Sequence, residues 1–163
     1  MEHQQPVPAW VAAIEHSGLG EAMRGSALLY PSANVLHVMS IVLLVGPIVA
    51  LDLRLLGLAR RIEVAALERY LTRFAIAALP VIVVTGFGLF SADATALAGN
   101  SAFRIKLLLV ALGLVNALAF RLVWRSRLAG WDAETPALGR AQAALSVAIW
   151  LAAVASGRLI AYL

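Results

Sequence analysis

The chain reads as an all-α protein, a four-transmembrane-helix bundle preceded by an amphipathic interfacial segment, and three observations predict this. Of its 163 residues 62 % are hydrophobic and 13 % charged, a composition well outside that of an ordinary soluble domain. The apolar residues fall into separate long runs, of which 34–51, NVLHVMSIVLLVGPIVAL, holds a single ionisable side chain, His37, and has the length of a membrane-crossing helix. Arginines collect in two of the connections between these runs and are scarce in the others, the asymmetry expected of loops on opposite sides of a membrane.

The elements follow in order. Residues 1–29 form the interfacial segment. Met1-Glu2-His3-Gln4-Gln5 lacks the basic start of a signal peptide, so the segment is expected to be retained. Between Pro8 and Met23, Trp10, Val11, Ile14, Leu19 and Met23 alternate with Glu15, His16 and Glu21, at spacings that suit short amphipathic helices lying in the interface and broken near Gly18 and Gly20. Trp10 and Tyr30 have the rings that favour headgroup level. Residues 30–163 form the membrane domain, with spans at about 31–58, 74–90, 105–124 and 141–163. Pro31 suits the start of the first, and Pro47 and Pro80 inside the first and second predict kinks. Gly46 with Ala50, Gly113 with Ala117, and Ala153 with Gly157 are small-residue pairs that let a neighbouring helix approach closely.

Composition and motifs exclude several functions. The net charge of +4 comes from arginines flanking apolar runs, without interleaved aromatics, so nucleic acid is not a partner. With no cysteine, disulfides, thiolate metal sites, iron–sulfur clusters and thiol nucleophiles are ruled out. Gly86-Phe87-Gly88 lacks the strand and third glycine of a phosphate loop, and no Ser–His–carboxylate set or carboxylate pair stands out.

The connection after the first span carries Arg60, Arg61, Arg69 and Arg73, and that after the third Arg121, Arg125, Arg127 and Arg140, against Arg104 after the second and Arg24 in the tail. Both termini are therefore expected outside the cytoplasmic membrane. His37, Lys106 and Arg158 then share the outer end on three different helices. Asn34, His37 and Ser40 follow at intervals of three and make one polar stripe, which should face the bundle. His37 reads as a ring hydrogen-bonded to a neighbouring helix, as an axial ligand to haem iron, or as a ligand to a bare metal ion. Lys106, placed in the first turn of its helix where the backbone dipole opposes a cation, either snorkels to the headgroups or serves an anionic partner. Arg158, near a helix C-terminus, reads as an interface anchor that could also reach such a partner. Asp52 and Arg54 read as interfacial, pairing with loop arginines and lipid phosphates respectively, with a proton relay as the lesser reading of Asp52.

Tyr30-Pro31, the His37 helix, Asp52-Leu53-Arg54-Leu55-Leu56-Gly57-Leu58, Thr85-Gly86 with Leu89-Phe90, and Asn100 with Ala102-Phe103 and Lys106-Leu107 resemble an uncharacterised family of small bacterial four-helix membrane proteins. Asp-Leu-Arg-Leu-Leu-Gly is the most specific element of that likeness, which runs from about Trp10 to Phe120. A histidine in the first span with a lysine opening the third is distantly similar to HemJ-type protoporphyrinogen oxidases, in which such residues are associated with haem binding, and to the membrane domain of copper resistance protein D. The tryptophan-rich surroundings and first-helix motif of the HemJ type are absent, so what the resemblance implies is haem or porphyrin binding, and porphyrinogen oxidation is not carried over.

The expected function is therefore b-type haem or related tetrapyrrole binding near the outer face of the bacterial inner membrane, for electron transfer or redox sensing. His37 would be the iron ligand, and Lys106 and Arg158 would neutralise propionates, with Asn34 on the same stripe. His16, or less readily Met39 or solvent, would complete the axial pair. Copper or other metal handling through His37, His16 and the methionines, and a cofactor-free structural subunit, are the competing readings. The lipid bilayer is the expected partner, with a redox protein or further copies of the chain beside it.

Overall fold

The computed structural model describes residues 8–160. The leaderless start read at residues 1–5 and the last three residues of the expected fourth span lie outside them. Every element is helical: α1 (Ala9–Glu15), α2 (Gly18–Gly25), α3 (Leu29–Leu55), α4 (Val64–Ala92), α5 (Ala94–Gly99), α6 (Ser101–Trp124), a 3-10 segment (Arg125–Gly130) and α7 (Ala137–Leu159). Four stretches are long and apolar enough to cross a membrane: Leu29–Leu55, Val64–Ala92, Ser101–Gly130 and Ala137–Leu159, with mean hydropathies of 2.2, 2.2, 2.1 and 1.5. Side chains such as Val83, Val84 and Leu122 point outward at 67, 71 and 76 % exposure, which suits lipid as the surrounding solvent.

The helices are longer than their apolar runs. α4 begins at Val64 where the second span is expected near Phe74, so Arg69 and Arg73 ride on its first turns instead of a loop. α6 begins at Ser101 because Asn100 caps it, its Oδ1 accepting from the Phe103 N–H at 3.0 Å. Lys106 accordingly lies in the second turn, and the expected conflict with the helix dipole falls away. α3 and α4 run unbroken through Pro47 and Pro80. The N-terminal segment divides at Ser17, whose side chain caps α2 by accepting from the Gly20 N–H at 3.3 Å.

α3 packs along α4 and also along α7, α7 packs along α6, and α2 and α1 lie against α4 and α5. α4 and α6 have almost no backbone contact and meet through side chains. At one end Phe90 and Phe103 stack with centroids 5.7 Å apart, and at the other Arg121 meets Glu68 at 3.2 Å. Gly113 accommodates Trp150 of α7, where a methyl would stand 2.9 Å from the indole. Close approach thus joins α6 to α7, not to α3. The Gly46–Ala50 pair is exposed and nothing lies within 4 Å of a methyl at Gly46, so among the described residues it joins no helices. Two buried clusters fill the bundle: Leu44, Ala78 and Trp150 at mid-height, and Leu55, Val64, Phe120, Leu128 and Trp131 near the arginine-rich end.

Candidate functional site

α3 carries His37 toward α4, where two neighbouring residues receive it. Nδ1 of His37 lies 2.9 Å from Oγ1 of Thr85, and the Thr85 hydroxyl donates to the Val81 carbonyl at 2.6 Å, as threonines in helices do to the turn before. Having used its proton, Thr85 accepts from His37, so the network assigns the ring hydrogen to Nδ1 and leaves the lone pair on Nε2. Next to Thr85, Gly86 lets the imidazole lie against the α4 backbone; a methyl there would stand 3.0 Å from Cε1.

Lys106 reaches the same region from α6. Its stem crosses Gly157 of α7, with Cδ, Cε and Nζ at 3.5, 3.6 and 3.7 Å from where a methyl would be. Among the described residues its ammonium is the charged group that acts on the His37 ring. Thr85 and Gly86 of α4 thus receive His37 of α3, and Gly157 of α7 receives the stem of Lys106 of α6. An imidazole with one free nitrogen beside an ammonium can ligate a metal-bearing ligand and hold its acidic groups.

The other expected members of the site are placed differently. Ser40 is buried at 3 % exposure, whereas Asn34 is exposed, so the polar stripe turns inward only from His37 downward. Arg158 is exposed beside Gly157. His16 is the exposed C-cap of α1, and among the described residues no hydrogen bond joins it to His37. Its neighbour Glu15 is the anchoring residue: the carboxylate accepts from the Thr95 N–H at 2.7 Å and from the Thr95 hydroxyl. These bonds hold the Glu15 carboxyl below the usual range, the hydroxyl contributing most. Met39 is 56 % exposed.

At the opposite end, the Asp-Leu-Arg-Leu-Leu-Gly run is a helix stop and a clasp. Gly57 has φ of 109°, and the Gly57 and Leu58 N–H groups donate to the Arg54 and Leu53 carbonyls at 3.1 and 3.0 Å, a Schellman closure that requires a left-handed residue. Arg54, expected among lipid phosphates, is instead 3 % exposed. It donates to the carbonyls of Ile62, Arg60 and Asp132 at 2.7, 3.2 and 3.4 Å. Asp132 also accepts from the Val64 N–H at 2.8 Å, so one loop carboxylate ties the end of α3 to the start of α4. Asp52 is likewise buried, at 6 % exposure, and among the described residues pairs with no loop arginine; Ser146 of α7 is the polar residue beside it. The Glu68–Arg121 pair, with Glu68 buried and Arg121 partly exposed, was not singled out from sequence. Cavities of about 230 Å³ beside Arg54, Arg60 and Arg140, and about 130 Å³ beside Glu68, Arg69 and Arg73, lie at this end.

Among the described residues no three His, Asp or Glu side chains converge on a point where a metal ion could sit. The fold, with four helices long and apolar enough to cross a membrane, defines a small helical membrane protein. The chain belongs to the family of unknown function DUF6644, whose model matches residues 12–163. No curated protein and no solved structure matches it.

Proposed function

We propose that the protein binds a b-type haem or related tetrapyrrole at the His37–Lys106 centre, near the outer face of a bacterial inner membrane, for electron transfer or redox sensing. The observation that carries this reading is the bond from Nδ1 of His37 to Thr85, which leaves Nε2 as the ligating nitrogen. An imidazole whose other nitrogen is engaged has a fixed tautomer and orientation, the usual state of a metal-ligating histidine. The donor set fits the group, since a single imidazole suffices to hold haem iron and the Lys106 ammonium suits a propionate. The side between α4 and α6, where the backbones are not packed together, is where a planar lipid-soluble ligand would approach.

When bound, such a group supplies one-electron chemistry. The chain's part is to ligate through His37, to orient the ring through Thr85, and to neutralise charge through Lys106. Met39, two residues from His37, points to another face of α3 and His16 is exposed, so His37 alone among these residues would hold the group. Copper handling has less support, because a second strong ligand would have to come from the same exposed residues.

Purification from haem-sufficient cells tests the proposal. The protein should show an intense Soret band that His37→Ala abolishes while helical content is retained. A colourless wild-type preparation overturns it and leaves the cofactor-free structural subunit as the reading.

A further inference from the structure

Asp52 is a carboxyl without the partners a carboxylate needs. It lies on α3 within a turn of the helix end, at 6 % exposure, and among the described residues its Oδ2 has no hydrogen-bond partner. The Ser146 hydroxyl is the polar group that faces it from α7. The charged groups on the surrounding elements are engaged elsewhere: Arg54 with loop carbonyls, Glu68 of α4 with Arg121, and Arg140 of α7 with Glu134 at 3.8 Å. A buried carboxylate facing one hydroxyl and no cation is a strongly unfavourable arrangement, and a group so placed takes up a counter-charge or a proton.

We propose that Asp52 and Ser146 form a proton-binding site at the arginine-rich end of the α3–α7 seam, with the Asp52 carboxyl carrying the proton. Uptake converts the carboxylate to a carboxylic acid, whose O–H donates to Ser146 Oγ. The proton comes from the near end of the bundle. Leu44, Ala78 and Trp150 fill the path toward His37, so the site loads and unloads on one side and is not a through-route. It is independent of any ligand at His37.

The test treats the full-length protein in detergent micelles with dicyclohexylcarbodiimide, which reacts with protonated carboxyls in apolar surroundings, and maps the adducts by mass spectrometry. At neutral pH the adduct should form on Asp52 and not on Glu68, which is equally buried but ion-paired, and its yield should fall as pH rises. Infrared spectroscopy should show a carboxylic-acid carbonyl band that Asp52→Asn removes. Should that variant fail to fold, carbon-13 aspartate in the wild type should shift the same band. The band decides the matter where the reagent does not reach the site. Absence of both adduct and band overturns the proposal, and so does suppression of the adduct by sodium or potassium at constant pH, which would make this a metal-cation site.

Discussion

The His37 ring on α3 is oriented by a residue of another helix: its Nδ1 stands 2.9 Å from Thr85 Oγ1 on α4. Because the Thr85 proton is committed to Val81, the threonine acts as an acceptor, and any slide of α3 along α4 turns the imidazole. Thr85→Val keeps the side-chain shape and removes the acceptor. Loss of such a supporting bond weakens metal retention by about 10–100-fold, so titration of haem into the apoprotein should show a loss of that order, with Thr85→Ser close to wild type. Gly86→Ala should act similarly by crowding the ring.

Lys106→Met retains most of the stem that crosses Gly157 and removes the charge. Ligand content should fall or the redox midpoint should shift, while the yield of folded protein stays near wild type and Lys106→Arg is partly tolerated. Wild-type values in Lys106→Met would reduce the lysine to a headgroup anchor.

The arginine-rich loops should face the cytoplasm. The chain has no cysteine, so Gly99→Cys and Ala133→Cys each introduce a single thiol. A membrane-impermeant maleimide added to whole cells should label the first and spare the second. The reverse pattern would invert the orientation.

Arg54→Ala should destabilise the fold, because three carbonyls lose a charged donor inside the protein. Hydrogen bonds to charged groups contribute about 1.5–3 kcal/mol each, and with partial compensation by water a loss on the order of 3 kcal/mol is expected. Unfolding in graded sodium dodecyl sulfate reads this. Arg54→Lys, which cannot reach several carbonyls at once, should recover only part of it.

The contact of Glu15 with Thr95 should depend on pH. The folded carboxyl titrates below its unfolded value because Thr95 donates to its ionised form. The contribution is therefore complete above the unfolded glutamate's range and disappears as pH falls through the lower folded value. Hydrogen exchange of the Thr95 amide should accelerate across that acidic window, and Glu15→Gln should exchange faster than wild type at neutral pH.

The four spans were legible because an apolar run of membrane length has few alternatives. Their ends were not: arginines at 69 and 73 look like loop residues although the backbone beneath them is already helical, and the cap at Asn100 begins α6 before its apolar run. His37 and Lys106 drew notice as ionisable groups inside apolar runs. Their partners did not, since Thr85, Gly86 and Gly157 are small residues that read as packing. Arg54 and Asp52 were misread for a physical reason, because proximity to a span end suggests lipid headgroups, whereas the Gly57 closure folds the loop back over them. That glycine in the motif was the available signal.

The nearly separate backbones of α4 and α6 bear on how the chain assembles during synthesis. α3 with α4 and α6 with α7 each pack as a pair of helices that follow one another in the chain, an arrangement that suits insertion two helices at a time. The first hairpin waits with Arg54 lacking one of its acceptors until the loop carrying Asp132 emerges. Docking of the second hairpin then completes the clasp, which makes the connection at 93–100, between the two hairpins, the natural place to divide the gene into two co-expressed halves that reassemble in the bilayer.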